Sequence, residues 1–287
     1  MMMIRSLTLL LTLALLAGPA LAAEPEATLK KIKRTNTITL GYRESSRPFS
    51  FVGDDGKPAG YSVELCTRVA AAVSKELSLP NLQTKWVKVT VENRMQAVAN
   101  GTVDLECGST TASLKRQEMV DFSLLTFVDG GSLLVTDSSQ ILGVSTLSGK
   151  RVAIIPGTTT EKSLNDAIKR HTVSPTLVPV KDHAAGVAAL DAGTADAYAS
   201  DRVILIGIGR TSKDPAKLSL VEEFFSYEPY GLMMRRGDPD FRLSVNRALA
   251  ALYRSREIVP IYEKWFGSMS TAGALIGAMY MINGLPE

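Results

Sequence analysis

Apolar and polar positions in this chain follow two alternating periods. Ile38-Thr39-Leu40-Gly41-Tyr42 reads as a first strand and Arg43 to Phe51 as a loop, and the turn residues Gly53-Asp54-Asp55-Gly56 give Val52 to Gly60 a hairpin character. From Tyr61 to Leu77 the period becomes helical, with Val63, Leu65, Val69, Ala72, Val73 and Leu77 on one face. Leu82 to Val89 alternates like a strand. Val91 to Asn100 predicts a helix with Thr90 as its N-cap and Gly101 as its stop, and Asp104 to Gly108 predicts a strand. Leu133 to Thr136, Arg151 to Ile155, Thr176 to Val180 and Ala195 to Ala199 predict further strands with helices between several of them. Phe241 to Tyr253 and Val259 to Phe266 read as amphipathic helices. Such interleaving predicts an α/β fold whose sheets are mostly parallel and flanked by helices.

A short segment recurs. Ala97-Val98-Ala99-Asn100-Gly101-Thr102-Val103-Asp104 resembles Ala189-Leu190-Asp191-Ala192-Gly193-Thr194-Ala195-Asp196. In each, a helix ends at Gly-Thr and a strand begins near Asp, then runs into a polar corner. Helix–Gly–strand is common enough in α/β chains for chance to produce it; the alternative is two similar lobes presenting strand ends to one cleft, where ligands of such sheets bind. The first lobe would take residues 23–130, the second 131–230, and residues 231–287 would return to the first and form a tail. Two crossover strands would join the lobes, near the flexible Gly130-Gly131 pair and near Tyr227 to Leu232, and let them close as a hinge.

Residues 1–22 carry Arg5, an apolar run from Leu7 to Leu16 and the small-residue pattern Ala20-Leu21-Ala22, which together predict a cleaved signal peptide rather than an anchor or a buried helix. The mature chain is then expected to be soluble in the periplasm. No Cys follows the cleavage site to take a lipid. With 32 basic and 29 acidic residues and a net charge of +3, no nucleic-acid partner is implied, and no zinc-type Cys/His spacing or cofactor motif is present. Cys66, in a helical pattern, and Cys107, in a strand, would either bridge in an oxidising compartment or sit apart as small buried residues.

The run Asp104-Leu105-Glu106-Cys107-Gly108-Ser109-Thr110-Thr111 ends a strand in a hydroxyl-rich corner. Thr110 and Thr111 there are expected to open a helix and leave backbone N–H groups exposed, with Arg116 swinging back over them. Hydroxyls, amides and a planar guanidinium suit a carboxylate, and no nucleophile stands beside a base. In the second lobe Gly157-Thr158-Thr159-Thr160-Glu161 opens a helix after a strand, either as an anion site or as a capping box of Thr158 and Glu161. Asp201, ending a strand, suits an ammonium group or an N-cap. Arg43, Arg94 and His183 each stand at an element boundary. Taken singly the arginines read as solvated surface residues, and His183 equally as a capping or packing histidine.

At this point the chain resembles the periplasmic solute-binding proteins of amino-acid ABC transporters, of type II fold, and within them the glutamate/aspartate-binding branch. The likeness runs from about Leu29 to Phe266. It is carried by Gly41-Tyr42-Arg43-Glu44-Ser45-Ser46, Pro48-Phe49-Ser50, Glu92-Asn93-Arg94, Asn100-Gly101-Thr102, Glu106-Cys107-Gly108-Ser109-Thr110-Thr111, Arg116-Gln117, Phe122-Ser123, Gly157-Thr158-Thr159, Lys181-Asp182-His183 and Tyr230-Gly231. The resemblance implies that Arg116, Thr111 and Thr159 hold a ligand α-carboxylate, that Asp201 and the Ser109 carbonyl take its α-ammonium, and that Arg43, Arg94 and His183 surround a side-chain carboxylate. It also implies a monomer that delivers its ligand to a membrane permease and catalyses nothing. Where the branch commonly has Ser three residues before Arg94, this chain has Val91, and the tail from Thr271 to Glu287 lacks the branch's charge. The competing function is an enzyme on the same scaffold, a cyclohexadienyl dehydratase, which needs a carboxylic acid positioned to protonate a leaving hydroxyl. Glu44, Glu106 and Glu161 are its candidates. A sensor domain would need a membrane helix and an output domain that the sequence does not offer.

Overall fold

The computed structural model describes residues 26–267, 269 and 273–287. The predicted signal peptide over 1–22 lies outside them. Helix α1 (Thr28–Thr35) ends where Asn36 turns left-handed at φ 49°, and the chain enters β1 (Thr37–Tyr42). Strands β2 (Ser45–Ser46), β3 (Ser50–Val52) and β4 (Pro58–Ala59) form a small antiparallel sheet, with Phe51 opposite Ala59 across the expected hairpin. Helix α2 (Tyr61–Glu76) starts after Gly60, at φ 124°, where a Cβ would lie 2.4 Å from the Phe49 carbonyl oxygen; only glycine fits. Then follow β5 (Gln83–Lys88), α3 (Arg94–Ala99), β6 (Leu105–Glu106), α4 (Leu114–Gln117) and β7 (Val120–Asp129).

Gly130 alone separates β7 from β8 (Gly131–Thr136), which already belongs to a second sheet. That sheet is completed by β9 (Arg151–Ile154), α5 (Thr159–His171), β10 (Thr176–Pro179), α6 (His183–Asp191), β11 (Ala197–Asp201), α7 (Arg202–Gly209) and β12 (Leu218–Leu220). The chain returns through β13 (Glu228–Arg235) to the first sheet and ends in α8 (Pro239–Arg254), α9 (Ile258–Phe266) and α10 (Ala274–Asn283). Tyr230, placed at the end of the second lobe by the sequence, therefore sits in a strand of the first sheet.

The strand orders are β5-β1-β6-β13-β7 and β10-β9-β11-β8-β12. In each sheet four of the five strands run in one direction and the crossing strand, β13 or β8, runs against them, so both sheets are mostly parallel as expected with one antiparallel strand each. The reason is topological. A strand that crosses between lobes enters its new sheet directly, without the helical crossover that parallel pairing requires. Two expectations are corrected at helix starts. Thr110 and Thr111 do not open a helix; α4 begins at Leu114, capped by Ser113, whose Oγ accepts from the Arg116 N–H at 3.3 Å. The regular helix expected over 91–100 begins only at Arg94, but Thr90 caps the turn before it as expected: its Oγ1 accepts from Asn93 N–H at 3.2 Å, its own N–H donates to Asn93 Oδ1 at 2.8 Å, and its carbonyl accepts from Arg94 N–H at 3.1 Å.

Cys66 in α2 and Cys107 just after β6 form a disulfide, Cα–Cα 6.1 Å, which closes the question left open by the sequence. Phe49 sits at the centre of the core beneath both crossing strands. Its ring lies 5.0 Å from that of Phe127 on β7, 5.1 Å from Tyr230 on β13 and 5.4 Å from Phe266 on α9. Edge-on aromatic pairs of this kind add about 0.5–1.5 kcal/mol each beyond their burial, and they fix where Tyr230 directs its hydroxyl. Helix α10 packs against β7 and α8. No helix among the described residues is long and apolar enough to cross a membrane.

Candidate functional site

A narrow cavity of about 30 Å³ lies between the two sheets and is lined by Arg43, Arg94, Ser109, Thr111, Thr159, His183 and Asp201, with Val91, Ile155, Ile204 and Thr160 among its other walls. Seven of the eight site residues expected from sequence therefore meet at one void. Arg116, the eighth, stands behind Thr111 and donates from Nη1 to the Thr111 carbonyl at 2.8 Å, so its side chain does fold back over the corner. Val91 on the wall confirms that the position without a hydroxyl faces the cavity.

Local sequence explains each placement. Arg43 follows β1 and is 3 % exposed; its backbone N–H is held by Ser50 Oγ at 2.9 Å. Arg94, the first residue of α3, is 4 % exposed and donates from Nη1 to Thr110 Oγ1 at 2.8 Å, which passes its own proton to Glu106 Oε2 at 2.7 Å. Arg94 Nε has no hydrogen-bond partner. Gly108 is needed because a Cβ there would meet Glu106 Oε1 at 2.1 Å. His183 opens α6 behind the cap Asp182, which accepts from Ala185 N–H at 2.8 Å. Thr158 caps α5 by accepting from Glu161 N–H at 3.0 Å, while Glu161 reaches back to Gly157 N–H at 2.8 Å; the cap leaves the first-turn amides of Thr159 and Thr160 outside the helical ladder.

Among the described residues, no carboxylate forms an ion pair with Arg43, Arg94 or Arg116. Burial first, and then the neighbouring Arg94 charge, pulls Arg43 and Arg116 down to about 10. Both stay charged at neutral pH. His183 is pulled down to about 3 by burial, Arg43 and Arg94, so its ring is neutral and acts by hydrogen bonding; Nδ1 lies 2.6 Å from the Tyr198 hydroxyl. It is a donor or acceptor here, not a third cation. On the opposite wall Asp201 is pushed up to about 6 by burial and the nearby Glu228. Asp201 is not an N-cap in the hydrogen-bonding sense: although it precedes α7, its oxygens take the hydroxyls of Thr160, at 2.6 Å, and Tyr230.

Sequence reasoning missed Thr160 on this wall and Glu228 and Tyr230 directly behind it. Glu228 is 1 % exposed and accepts from Thr111 and Thr159 at 2.6 Å each through Oε2, and from Ser226 at 2.6 Å through Oε1. Its only signal was an acidic residue directly before Pro229 in a crossing strand. Asp129, its cross-strand neighbour, is pushed up to about 8 by burial and then by Asp201, and accepts from the Gly130 and Val203 amides. Of the acids weighed for an enzyme, Glu44 pairs with Lys88 at 3.4 Å, while Glu106 and Glu161 are engaged as described. The second lobe comes close to the first at Gly207 in α7, where a Cβ would lie 2.8 Å from the Arg47 carbonyl oxygen. No group of His, Cys, Asp and Glu among the described residues is arranged to hold a metal ion.

Residues 38–268 match the sequence profile of the bacterial extracellular solute-binding proteins, family 3. The chain is similar to an L-glutamate/L-aspartate-binding protein of Pseudomonas aeruginosa, 42% identical over 88% of this chain and 84% of that one. It is similar to the glutamate/aspartate import solute-binding protein of Escherichia coli, 37% identical over 90% of this chain and 87% of that one. Among solved structures it resembles an ancestral amino-acid-binding protein described as a precursor of cyclohexadienyl dehydratase, with TM-score 0.72 and 25% identity over 84% of this chain and all of that one.

Proposed function

The chain belongs to the bacterial extracellular solute-binding proteins, family 3, and from this we propose that it captures an acidic amino acid, glutamate or aspartate, between its two lobes and releases it unaltered to an ABC transporter permease. The observation that carries this reading is the gathering of two guanidiniums, Arg43 and Arg94, at one small cavity, with a third, Arg116, directly behind its Thr111 wall, and no carboxylate among the described residues ion-paired to any of them. Buried cations without counterions are costly, and a dicarboxylate ligand supplies the missing charges. Arg43 and Arg94, with the neutral His183 as a hydrogen-bonding neighbour, would take the side-chain carboxylate. Arg116 and the first-turn amides of α5 would take the α-carboxylate, a helix N-terminus being suited to an anion. Asp201 and the Ser109 carbonyl would take the ammonium.

Glutamate/aspartate relatives at 42% and 37% identity support the same ligand class, and they are named as binding proteins rather than enzymes. The chain is accordingly a solute-binding protein and not an enzyme. We assign it to the periplasm after removal of residues 1–22, as a monomer whose closed form docks on the permease through both lobes. A calorimetric and thermal-shift screen of the twenty amino acids with the mature protein tests the ligand class. Glutamate or aspartate should raise the melting point by several degrees through mass action on the folded form, and glutamine and lysine should leave it near the unliganded value. A shift for neutral amino acids alone would refute the acidic specificity.

A further inference from the structure

Thr111 and Thr159 face the cavity from opposite lobes, yet both send their only hydroxyl proton away from it. Both donate to the same oxygen, Glu228 Oε2, at 2.6 Å, and the two hydroxyl oxygens lie 3.2 Å apart. The other oxygen of Glu228 is taken by Ser226 at 2.6 Å. Beside them Thr160 and Tyr230 do the same toward Asp201. A threonine hydroxyl has one proton and two lone pairs. Once that proton is committed, only lone pairs remain for whatever occupies the cavity. The two threonines therefore cannot donate their hydroxyls to the ligand α-carboxylate, the role the family resemblance implied for them. What they offer is acceptance.

We propose that Glu228 is a positioning residue that turns the Thr111 and Thr159 hydroxyls into acceptors and so restricts the cavity to ligands carrying a primary ammonium. This rests on the reading that the cavity takes an amino acid, and it adds a residue that lies outside the cavity lining and acts through two that form it. Glu228 is buried at the start of β13, where the chain crosses between lobes, and it bridges a hydroxyl of each lobe. Its charge also favours a cation nearby, alongside Asp201. An amino-free dicarboxylate could still use Arg116 and the α5 amides, but it would bring no proton to the hydroxyl lone pairs or to Asp201, and buried acceptors left unmatched enforce specificity.

The test compares glutamate with glutarate, the same dicarboxylate without its amino group, by titration calorimetry on the wild type, Glu228→Gln and Glu228→Met. The wild type should prefer glutamate strongly. In Glu228→Met, which frees both hydroxyl protons, the preference should fall at least about tenfold, with glutarate weakened much less than glutamate. Glu228→Gln keeps an accepting oxygen but loses the charge, so its preference should lie between the two. Equal fractional losses for both ligands in the variants, or an unchanged ratio, would overturn the proposal and leave Glu228 a structural residue. Should Glu228→Met fail to fold, Glu228→Gln decides: its ratio must fall while its unliganded melting point stays within a few degrees of wild type, and an unchanged ratio overturns the idea. If the wild type ignores glutamate but binds another amino acid, the acidic specificity falls, and the Glu228 inference is judged with that amino acid and its amino-free analogue. A wild type that binds no amino acid overturns both.

Discussion

Asp104 and Asp196 occupy equivalent places in the two sheets. Asp104 donates its N–H to the Thr39 carbonyl and accepts the Thr39 N–H on its side chain, both at 2.8 Å; Asp196 repeats the exchange with Arg151, again at 2.8 Å in both directions. Each carboxylate thus continues the strand ladder where the backbone has just left a left-handed glycine, Gly101 at φ 75° or Gly193 at φ 64°. Asp104 is buried and also paired with Lys31 at 2.7 Å, whereas Asp196 is half-exposed with Arg151 at 2.6 Å. Asp104→Ala should therefore cost about 2–3 kcal/mol and Asp196→Ala under about 1 kcal/mol, read from urea unfolding. Equal costs would show that burial does not separate the two.

The unpaired arginines set function against stability. Arg94→Met should weaken glutamate binding by roughly 2–5 kcal/mol, the range for breaking a buried charge contact. It should leave any weak binding of glutamine nearly unchanged. The same substitution removes a buried cation that reaches its nearest carboxylate, Glu106, only through the Thr110 hydroxyl, so the unliganded melting point should rise by about 2 °C or more. Arg116→Ala should abolish the thermal shift for every amino acid. A drop in the unliganded melting point of Arg94→Met would contradict the charge argument.

Asp201 makes binding depend on pH. Its folded value of about 6 stands above the ordinary 3.8, so the unliganded fold holds this proton more tightly than the unfolded chain does. That contribution to stability is fully present below about pH 4 and is lost as pH rises through 6, and Asp129 extends the loss toward 8. Asp196 and Asp238, both held low, act in the opposite sense as pH falls through their own range. Ligand binding reverses the sign for Asp201, because an ammonium group needs the ionised carboxylate. Affinity should fall by up to about tenfold per unit below pH 6, and calorimetry in buffers of different ionisation enthalpy should detect proton release on binding near that pH. Affinity flat from pH 7 to 5 would remove Asp201 from the ammonium site.

Gly207 separates closure from recognition. A side chain there would strike the Arg47 carbonyl of the other lobe without touching the cavity walls named above. Gly207→Val should weaken glutamate and aspartate by the same factor, about 1–3 kcal/mol, by raising the free energy of the closed form for both alike. Small-angle scattering with saturating ligand should report the residual opening. A change in the ratio of the two affinities would place Gly207 in recognition instead.

Most of the alternation of strands and helices was legible in the sequence because period and punctuation are local. The repeat around Gly101 and Gly193 was legible for the same reason, and the structure gives it a physical cause in Asp104 and Asp196. Boundary arginines could be gathered into a site only through the family likeness, since nothing local tells Arg94, which reaches the cavity, from Arg47, which stacks 3.8 Å over the Phe51 ring. The helix start at Thr110 was misjudged because a Ser-Thr-Thr run offers several caps, whereas the neighbouring β13 pairs with the backbone there: Ala112 N–H bonds to the Pro229 carbonyl at 2.7 Å and Gly231 N–H to the Thr110 carbonyl at 3.2 Å. Glu228 was illegible because its partners are 117 and 69 residues away. The state of His183 was equally so, since its neutrality comes from two arginines remote in sequence.

The order β5-β1-β6-β13-β7 has a bearing on how the molecule is made. The strand between β6 and β7 is supplied by residues near the end of the chain, so for most of its synthesis the N-terminal half carries a gap through the middle of its sheet. That half has no finished hydrogen-bond ladder to lock until Glu228–Arg235 has emerged from the ribosome, whereas the inserted half has all its strands beforehand. A polypeptide arranged this way completes its larger unit last, after the inserted one already holds every strand it needs.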